Sequence, residues 1–123
     1  MTPRHVLVVD DDPFILDIIV RALASQQLRV STARRVSIAR DVLVRHSVDL
    51  VVTDARMPGE TGLALAEKAK ELGIACIVMS GDPEWAADHG IAPQQYVAKP
   101  FDLSNLVALV QATLDRVAPA NIV

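Results

Sequence analysis

Asp49-Leu50-Val51-Val52-Thr53-Asp54-Ala55-Arg56-Met57-Pro58-Gly59 decides how the rest of the chain is read. A short apolar run stops at a carboxylate, and a Pro-Gly turn follows. Leu50 to Val52 suit a strand buried on both faces. Met57-Pro58-Gly59 ends the strand and turns the chain. Asp54 is therefore expected at a strand's C-terminal end, the edge where open α/β sheets keep their sites. Alone it would be an ordinary strand-ending Asp. Three other stretches add to it.

Upstream, Val6 to Val9 is an apolar run that meets Asp10-Asp11-Asp12-Pro13. It reads as a first buried strand. Asp12 suits the cap of the next helix and Pro13 its first turn. That helix is expected from Pro13 to about Ser25, a second strand over Leu28 to Thr32, and a second helix over Val36 to His46. Downstream, Thr61 to Leu72 reads as a third helix with Gly73 as its stop. Ile74 to Met79 reads as a fourth strand. Asp82-Pro83 repeats the cap-then-proline start and opens a short helix to His89. Gln95 to Ala98 is a brief fifth strand. Asp102 caps a last helix to about Val117, with Phe101 and Leu106 placed as a hydrophobic staple. The tail from Ala118 to Val123 reads as frayed or truncated. Five strand-helix units imply a parallel sheet with helices on both faces.

The totals set the class. The chain has 123 residues, enough for one domain with a real core. It is 51% hydrophobic and only 3% aromatic, which fits an aliphatic α/β interior. A net charge of -3 gives no general attraction to nucleic acid. Cys76, the one cysteine, lies in an apolar run and reads as a reduced core residue. No apolar run is long enough to span a bilayer, and Met1 to His5 carries no signal-peptide pattern. A cytoplasmic protein without a membrane or nucleic-acid partner is expected.

Four places put polar groups after apolar strands: Asp10-Asp11, Asp54, Ser80 and Lys99. In a parallel sheet these strand ends share one edge. Three carboxylates there repel one another. A divalent cation removes that penalty, and hard oxygen ligands favour magnesium over zinc. Lys99 adds a positive charge and Ser80 a small hydroxyl. Such a site suits a phosphoryl group, and a carboxylate can be its acceptor.

Val-Val-Asp-Asp-Asp-Pro, Asp-Ala-Arg-Met-Pro-Gly, Met-Ser-Gly-Asp and Lys-Pro-Phe, in this order and spacing, resemble a response regulator receiver domain of two-component signalling, similar to chemotaxis regulators. The resemblance covers Val6 to about Val117. It implies a single receiver domain over residues 1–123. The implied fold is a flavodoxin-like, doubly wound sheet of five parallel strands in the order 2-1-3-4-5, flanked by five helices. It implies Asp54 as phosphoacceptor and Mg2+ held by Asp10, Asp11, Asp54 and the main-chain carbonyl of Arg56. Ser80 and Lys99 would contact phosphoryl oxygens, Tyr96 would be the switch aromatic that follows Ser80, and Lys99-Pro100 would be cis. The implied partners are a histidine kinase or histidine phosphotransfer protein, then a downstream protein target or a second receiver. Enzymatic activity would be limited to weak autophosphorylation and autodephosphorylation. Ser80 stands where threonine is commoner. Ile91-Ala92-Pro93-Gln94-Gln95 lacks the usual Gly-Ala-Asp pattern, so the fourth helix is expected to differ in length or mobility.

Other readings fit less well. A phosphohydrolase using an aspartyl-phosphate commonly needs a second acid two residues after the nucleophile, where Arg56 stands. A flavodoxin-like cofactor binder needs a phosphate-cradling loop after the first strand, and Asp10, Asp11 and Asp12 would repel the phosphate. A degenerate receiver would lack some of the five central residues, and all five are here. On the first helix, Leu16, Ile19, Val20 and Leu23 form a sheet-facing stripe. Phe14, Ile15, Ile18 and Ala22 fall mostly on a second one. That second stripe is expected to dock the phosphodonor. Trp85 is expected either over the core or on a partner surface. Arg34, Arg35, Arg40 and Arg45 read as a solvated face.

Overall fold

The computed structural model describes residues 3–57 and 59–118. Pro58 and the tail from residue 119 lie outside them. The chain alternates strand and helix: β1 (His5–Val9), α1 (Pro13–Ala24), β2 (Arg29–Ala33), α2 (Val36–Arg45), β3 (Leu50–Asp54), α3 (Gly62–Glu71), β4 (Ala75–Ser80), α4 (Pro83–Asp88), β5 (Tyr96–Ala98) and α5 (Leu103–Asp115). A 3-10 turn, Pro93–Gln95, precedes β5. The strands pair in parallel in the order β2-β1-β3-β4-β5. This is the doubly wound sheet expected. Element bounds shift by a residue or two from those read in the sequence.

The helix starts follow the side chains that cap them. Asp12 accepts the Phe14 N–H, Thr61 that of Ala64, Asp82 that of Trp85, and Asp102 those of Ser104 and Asn105. Each satisfies a donor that a helix leaves open at its N-terminus. At the end of α3, Gly73 takes a left-handed φ of 72°, and Ile74 N–H reaches back to the Ala69 carbonyl. That is the stop expected of a glycine.

Strand alternation splits the core into two layers. Leu7, Val9, Val51, Cys76 and Val78 face α2 and α3, where Val36, Ala39, Leu43, Leu65 and Ala69 are buried. Val6, Val8, Leu50, Val52, Ile77 and Met79 face α1 and α5, where Leu16, Ile19, Leu23, Leu106, Val110 and Leu114 are buried. Phe101 and Leu106 share this second layer, as a staple requires. Leu50, Val51 and Val52 are all fully buried, so β3 is covered on both faces. Trp85 packs against the α2/α3 layer and stacks on His89 at 4.5 Å between ring centroids. Burial pushes the Cys76 thiol up to about 12, so it stays an unreactive core group. No helix among the described residues is long and apolar enough to cross a membrane.

Candidate phosphoacceptor site

Register brings the strand ends together. Val9 pairs with Thr53, Asp54 with Met79, and Ser80 with Ala98. Three further backbone bonds carry the ladders one residue onward: Asp10 N–H to Ala33, Ala55 N–H to Met79, and Lys99 N–H to Ser80. These bonds fix the main chain at Asp10, Asp54 and Lys99 before any side chain is placed. The site lies where β1 leads to β2 on one side and pairs with β3 on the other. This is the crevice at which doubly wound sheets bind ligands.

Asp10, Asp11 and Asp54 each bring a carboxylate oxygen within 4.8 Å of the others. Asp10 is buried, Asp54 half-buried and Asp11 exposed. Lys99 Nζ lies 3.1 Å from Asp10 Oδ2 and 3.3 Å from Asp54 Oδ1. One lysine therefore serves two of three carboxylates. Asp10 also accepts the Asp12 N–H at 2.9 Å, which shapes the turn into α1.

The charge balance shows in the proton affinities. Burial raises the Asp54 pKa above its ordinary value, and the Asp10 charge adds to this. Lys99 opposes both without cancelling them. For Lys99, burial lowers the pKa, but the hydrogen bond and charge of Asp10 and the charge of Asp54 together outweigh it, so the net shift is upward. The lysine is a firm cation. A hard divalent cation fits this donor set: all three groups are carboxylates, one is open to solvent, and Asp54 is held in a state that added positive charge would relieve.

Asp54 and Ser80 line one open cleft of about 620 Å³, bounded by residues 54–56 and 80–84. Ser80 is buried, and its hydroxyl accepts the Asp82 N–H at 3.0 Å. Tyr96 is half-buried, and its hydroxyl donates to the Ser80 carbonyl at 2.8 Å. Ser80 thus links the cleft to the β5 aromatic. Lys99-Pro100 is cis. The Arg56 side chain points to solvent and pairs with Asp82 at 3.6 Å.

On α1 the second stripe divides. Phe14 is 79% exposed and Ile18 45%. Ile15 is half-buried and packs against the α1/α5 layer. The spacing explains this: Ile15 lies one turn before buried Ile19 and leans toward the same face.

Gly62 escaped the sequence reading. A Cβ there would collide with the Asp54 carbonyl. The Gly62 N–H donates to the Ala55 carbonyl at 3.0 Å, so the first turn of α3 sits directly on the backbone at Asp54 and Ala55. Gly81 is different, since a Cβ there meets only ordinary contact with the Lys99 carbonyl at 3.8 Å.

The doubly wound fold and this edge of three carboxylates, a lysine and a hydroxyl define a receiver domain. The chain belongs to that family: the sequence model of the response regulator receiver domain matches residues 6–111. It is 33% identical over 126 residues to the DNA-binding transcriptional regulator NtrC of Azospirillum brasilense, covering 97% of this chain and 26% of that protein. It is 32% identical to the response regulator PilR of Pseudomonas aeruginosa, covering 93% and 27%. The chain spans about a quarter of the length of these two relatives. Among solved structures, a response regulator receiver protein from Pseudomonas putida is 30% identical with a TM-score of 0.80, covering 91% of this chain and 98% of that one. The chemotaxis response regulator CheY4 of Vibrio cholerae shares the fold at 20% identity and a TM-score of 0.80, covering 91% and 99%. Receiver domains are switches of two-component systems that bind Mg2+ at an acidic pocket and work with histidine kinases and downstream effectors.

Proposed function

We propose that residues 1–123 act as a single phosphorylation-dependent switch, with Asp54 accepting a phosphoryl group from a histidine kinase or histidine phosphotransfer protein. The observation that carries this is the shared lysine: Lys99 bridges Asp10 and Asp54 while a third carboxylate, Asp11, stands within ligand distance. In transfer, an Asp54 oxygen bonds to phosphorus as the phosphorus–nitrogen bond of the donor histidine breaks. The histidine nitrogen keeps the electron pair and takes up a proton. Asp10, Asp11, Asp54 and the Arg56 carbonyl would hold Mg2+, which would supply positive charge against the charge that gathers there. Lys99 holds a phosphoryl oxygen from the other side. Ser80 turns its hydroxyl to the phosphoryl group and gives up the Asp82 N–H, and Tyr96 follows because its hydroxyl is tied to the Ser80 carbonyl. The changed surface then binds a downstream protein or a second receiver. The domain's own catalysis is confined to slow labelling by small donors and slow loss of the phosphoryl group.

The test is Asp11→Ala, an exposed position whose loss spares the core. It should abolish Mg2+ binding and labelling by acetyl phosphate while leaving the thermal midpoint nearly unchanged. Normal labelling by intact mass would refute the assignment. For docking, Ile18→Asp should slow transfer from the cognate histidine protein without changing acetyl phosphate labelling. Equal transfer rates would remove α1 from the docking face. Ile15→Asp should instead cost stability, because that side chain packs on the core.

A further inference from the structure

The loop between β3 and α3 carries the Arg56 peptide past Asp54. Its ends are tied, since the Gly62 N–H donates to the Ala55 carbonyl at 3.0 Å. The Arg56 backbone N–H faces the Asp54 carboxylate as a donor. Met57 is buried in the α2/α3 layer. Further along, the loop loses this backing: Gly59 and Glu60 line an open cavity of about 840 Å³ with Asp11, Arg34 and the start of α2. Here charge ties the loop to α2. Arg40 Nη2 stands 3.0 Å from Glu60 Oε2.

Arg40 differs from an ordinary surface arginine. Val36, Ala39 and Leu43 are the buried residues of α2, and Arg40 lies at the edge of their stripe. Its Nε is buried and has no hydrogen-bond partner among the described residues. A buried N–H left unpaired costs stability. An ion pair whose members are 42% and 43% exposed returns little. Stability therefore does not account for the seat this guanidinium takes. Burial on the inner side does keep its charged end in one place, where a fully solvated arginine would sample many.

We propose that Arg40 is a positioning residue for the magnesium site: through Glu60 it holds the loop after β3, and so sets the Arg56 peptide against Asp54. The inference rests on the proposed acceptor site, in which the Arg56 carbonyl is a metal ligand. That ligand belongs to the main chain, so its place is set by the loop. Magnesium demands near-ideal geometry of its ligands, and a shift of the loop is felt there first. Charge alone gives the opposite sign for Arg40. Removing a cation from the neighbourhood of three carboxylates raises their affinity for a divalent cation. Releasing the loop lowers it.

The experiment follows the rise of the thermal midpoint with Mg2+, and separately the Mg2+ dependence of labelling by acetyl phosphate. Arg40→Met keeps an apolar stem and removes the charge. Its Mg2+-free midpoint should match or exceed the parent's. Half-saturation should need roughly two- to fivefold more Mg2+, the scale of a half-exposed ion pair. Labelling at saturating Mg2+ should stay near the parent rate, and Arg40→Lys should restore most of the affinity. Glu60→Gln should show the same loss, and Arg40→Met/Glu60→Gln no more than either alone, because Arg40 acts through Glu60. Unchanged or higher affinity in Arg40→Met, or additive losses in the double variant, overturn the proposal while leaving the metal site in place. A Mg2+-free midpoint well below the parent's would make Arg40 a structural residue and overturn it too. A parent protein whose midpoint and labelling ignore Mg2+ would overturn the site reading and this inference together.

Discussion

Two buried aspartates sit at opposite edges of the sheet, in opposite surroundings. Asp49, just before β3, is 5% exposed. It accepts the His5 N–H at 2.7 Å and pairs with Arg4 at 3.4 Å. His5 is itself satisfied, with Nδ1 2.9 Å from the Ser47 carbonyl and Nε2 2.7 Å from Ser31 Oγ. Asp10, just after β1, is 1% exposed. Its neighbours are two more carboxylates, and Lys99 pairs with Asp10 and with Asp54. The first edge closes its charge inside the protein. The second leaves an excess of negative charge that a bound cation would balance. A buried carboxylate is thus a staple at one end of the sheet and part of a receptor at the other, and the difference lies in its neighbours.

The largest effect should come from breaking the closed edge. Asp49→Ala strands the His5 N–H and removes the carboxylate beside Arg4, whose Nη2 keeps its bond to the Val117 carbonyl. It should lower unfolding free energy by about 2–4 kcal/mol, the range for breaking a buried charge network. Chemical denaturation measures this. Well below the midpoint, acetyl phosphate labelling should be unchanged. Slower labelling of folded protein would show that the two edges are coupled.

Next in size is Gly62→Ala. Its methyl group meets the Asp54 carbonyl, so backbone must move. A loss of about 1–3 kcal/mol is expected for such overpacking, together with slower labelling, because Asp54, the proposed acceptor, is displaced. Gly81→Ala on the facing loop should leave both nearly unchanged. Equal tolerance at the two positions would mean that α3 does not seat the acceptor.

The smallest effect concerns protons. The Asp54 carboxyl holds its proton more tightly in the folded chain than in the unfolded one. Between the ordinary value of 3.8 and the raised folded value, the native state binds more protons. Stability therefore falls as pH rises through that window. At neutral pH the ionised group is a net cost to the metal-free protein. Asp54→Asn should then melt at a higher temperature than the parent at neutral pH. The gap should close below the ordinary carboxylate range and narrow when Mg2+ is added. A thermal scan across pH measures it, and a gap independent of pH would mean that another interaction sets it.

Much of this was legible in the sequence. Each group of the acceptor edge follows an apolar run, and a buried parallel strand writes itself as such a run. Asp12, Asp82 and Asp102 announced their helices because capping is local chemistry. What stayed hidden depends on packing between distant segments. Gly62 opens α3 as a poor helix former, and only the approach of the Asp54 carbonyl gives it a reason. Ile15 lies on the border of two helical stripes, and α1's tilt against α5 decides which it joins. The Asp82 contacts with Ser80 and Arg56 join two loops that sequence alone does not place face to face. The Asp49 and His5 network was missed for the same reason: its members come from β1, β2 and the turn before β3.

On the proposed function, the open edge receives one phosphoryl group, at Asp54. Intact mass after incubation with acetyl phosphate and Mg2+ measures this directly. One alkali-labile phosphoryl group should appear, and it should vanish in Asp54→Asn and when the metal is chelated. A stable phosphate on Ser80 or Thr53, or undiminished labelling of Asp54→Asn, would contradict it.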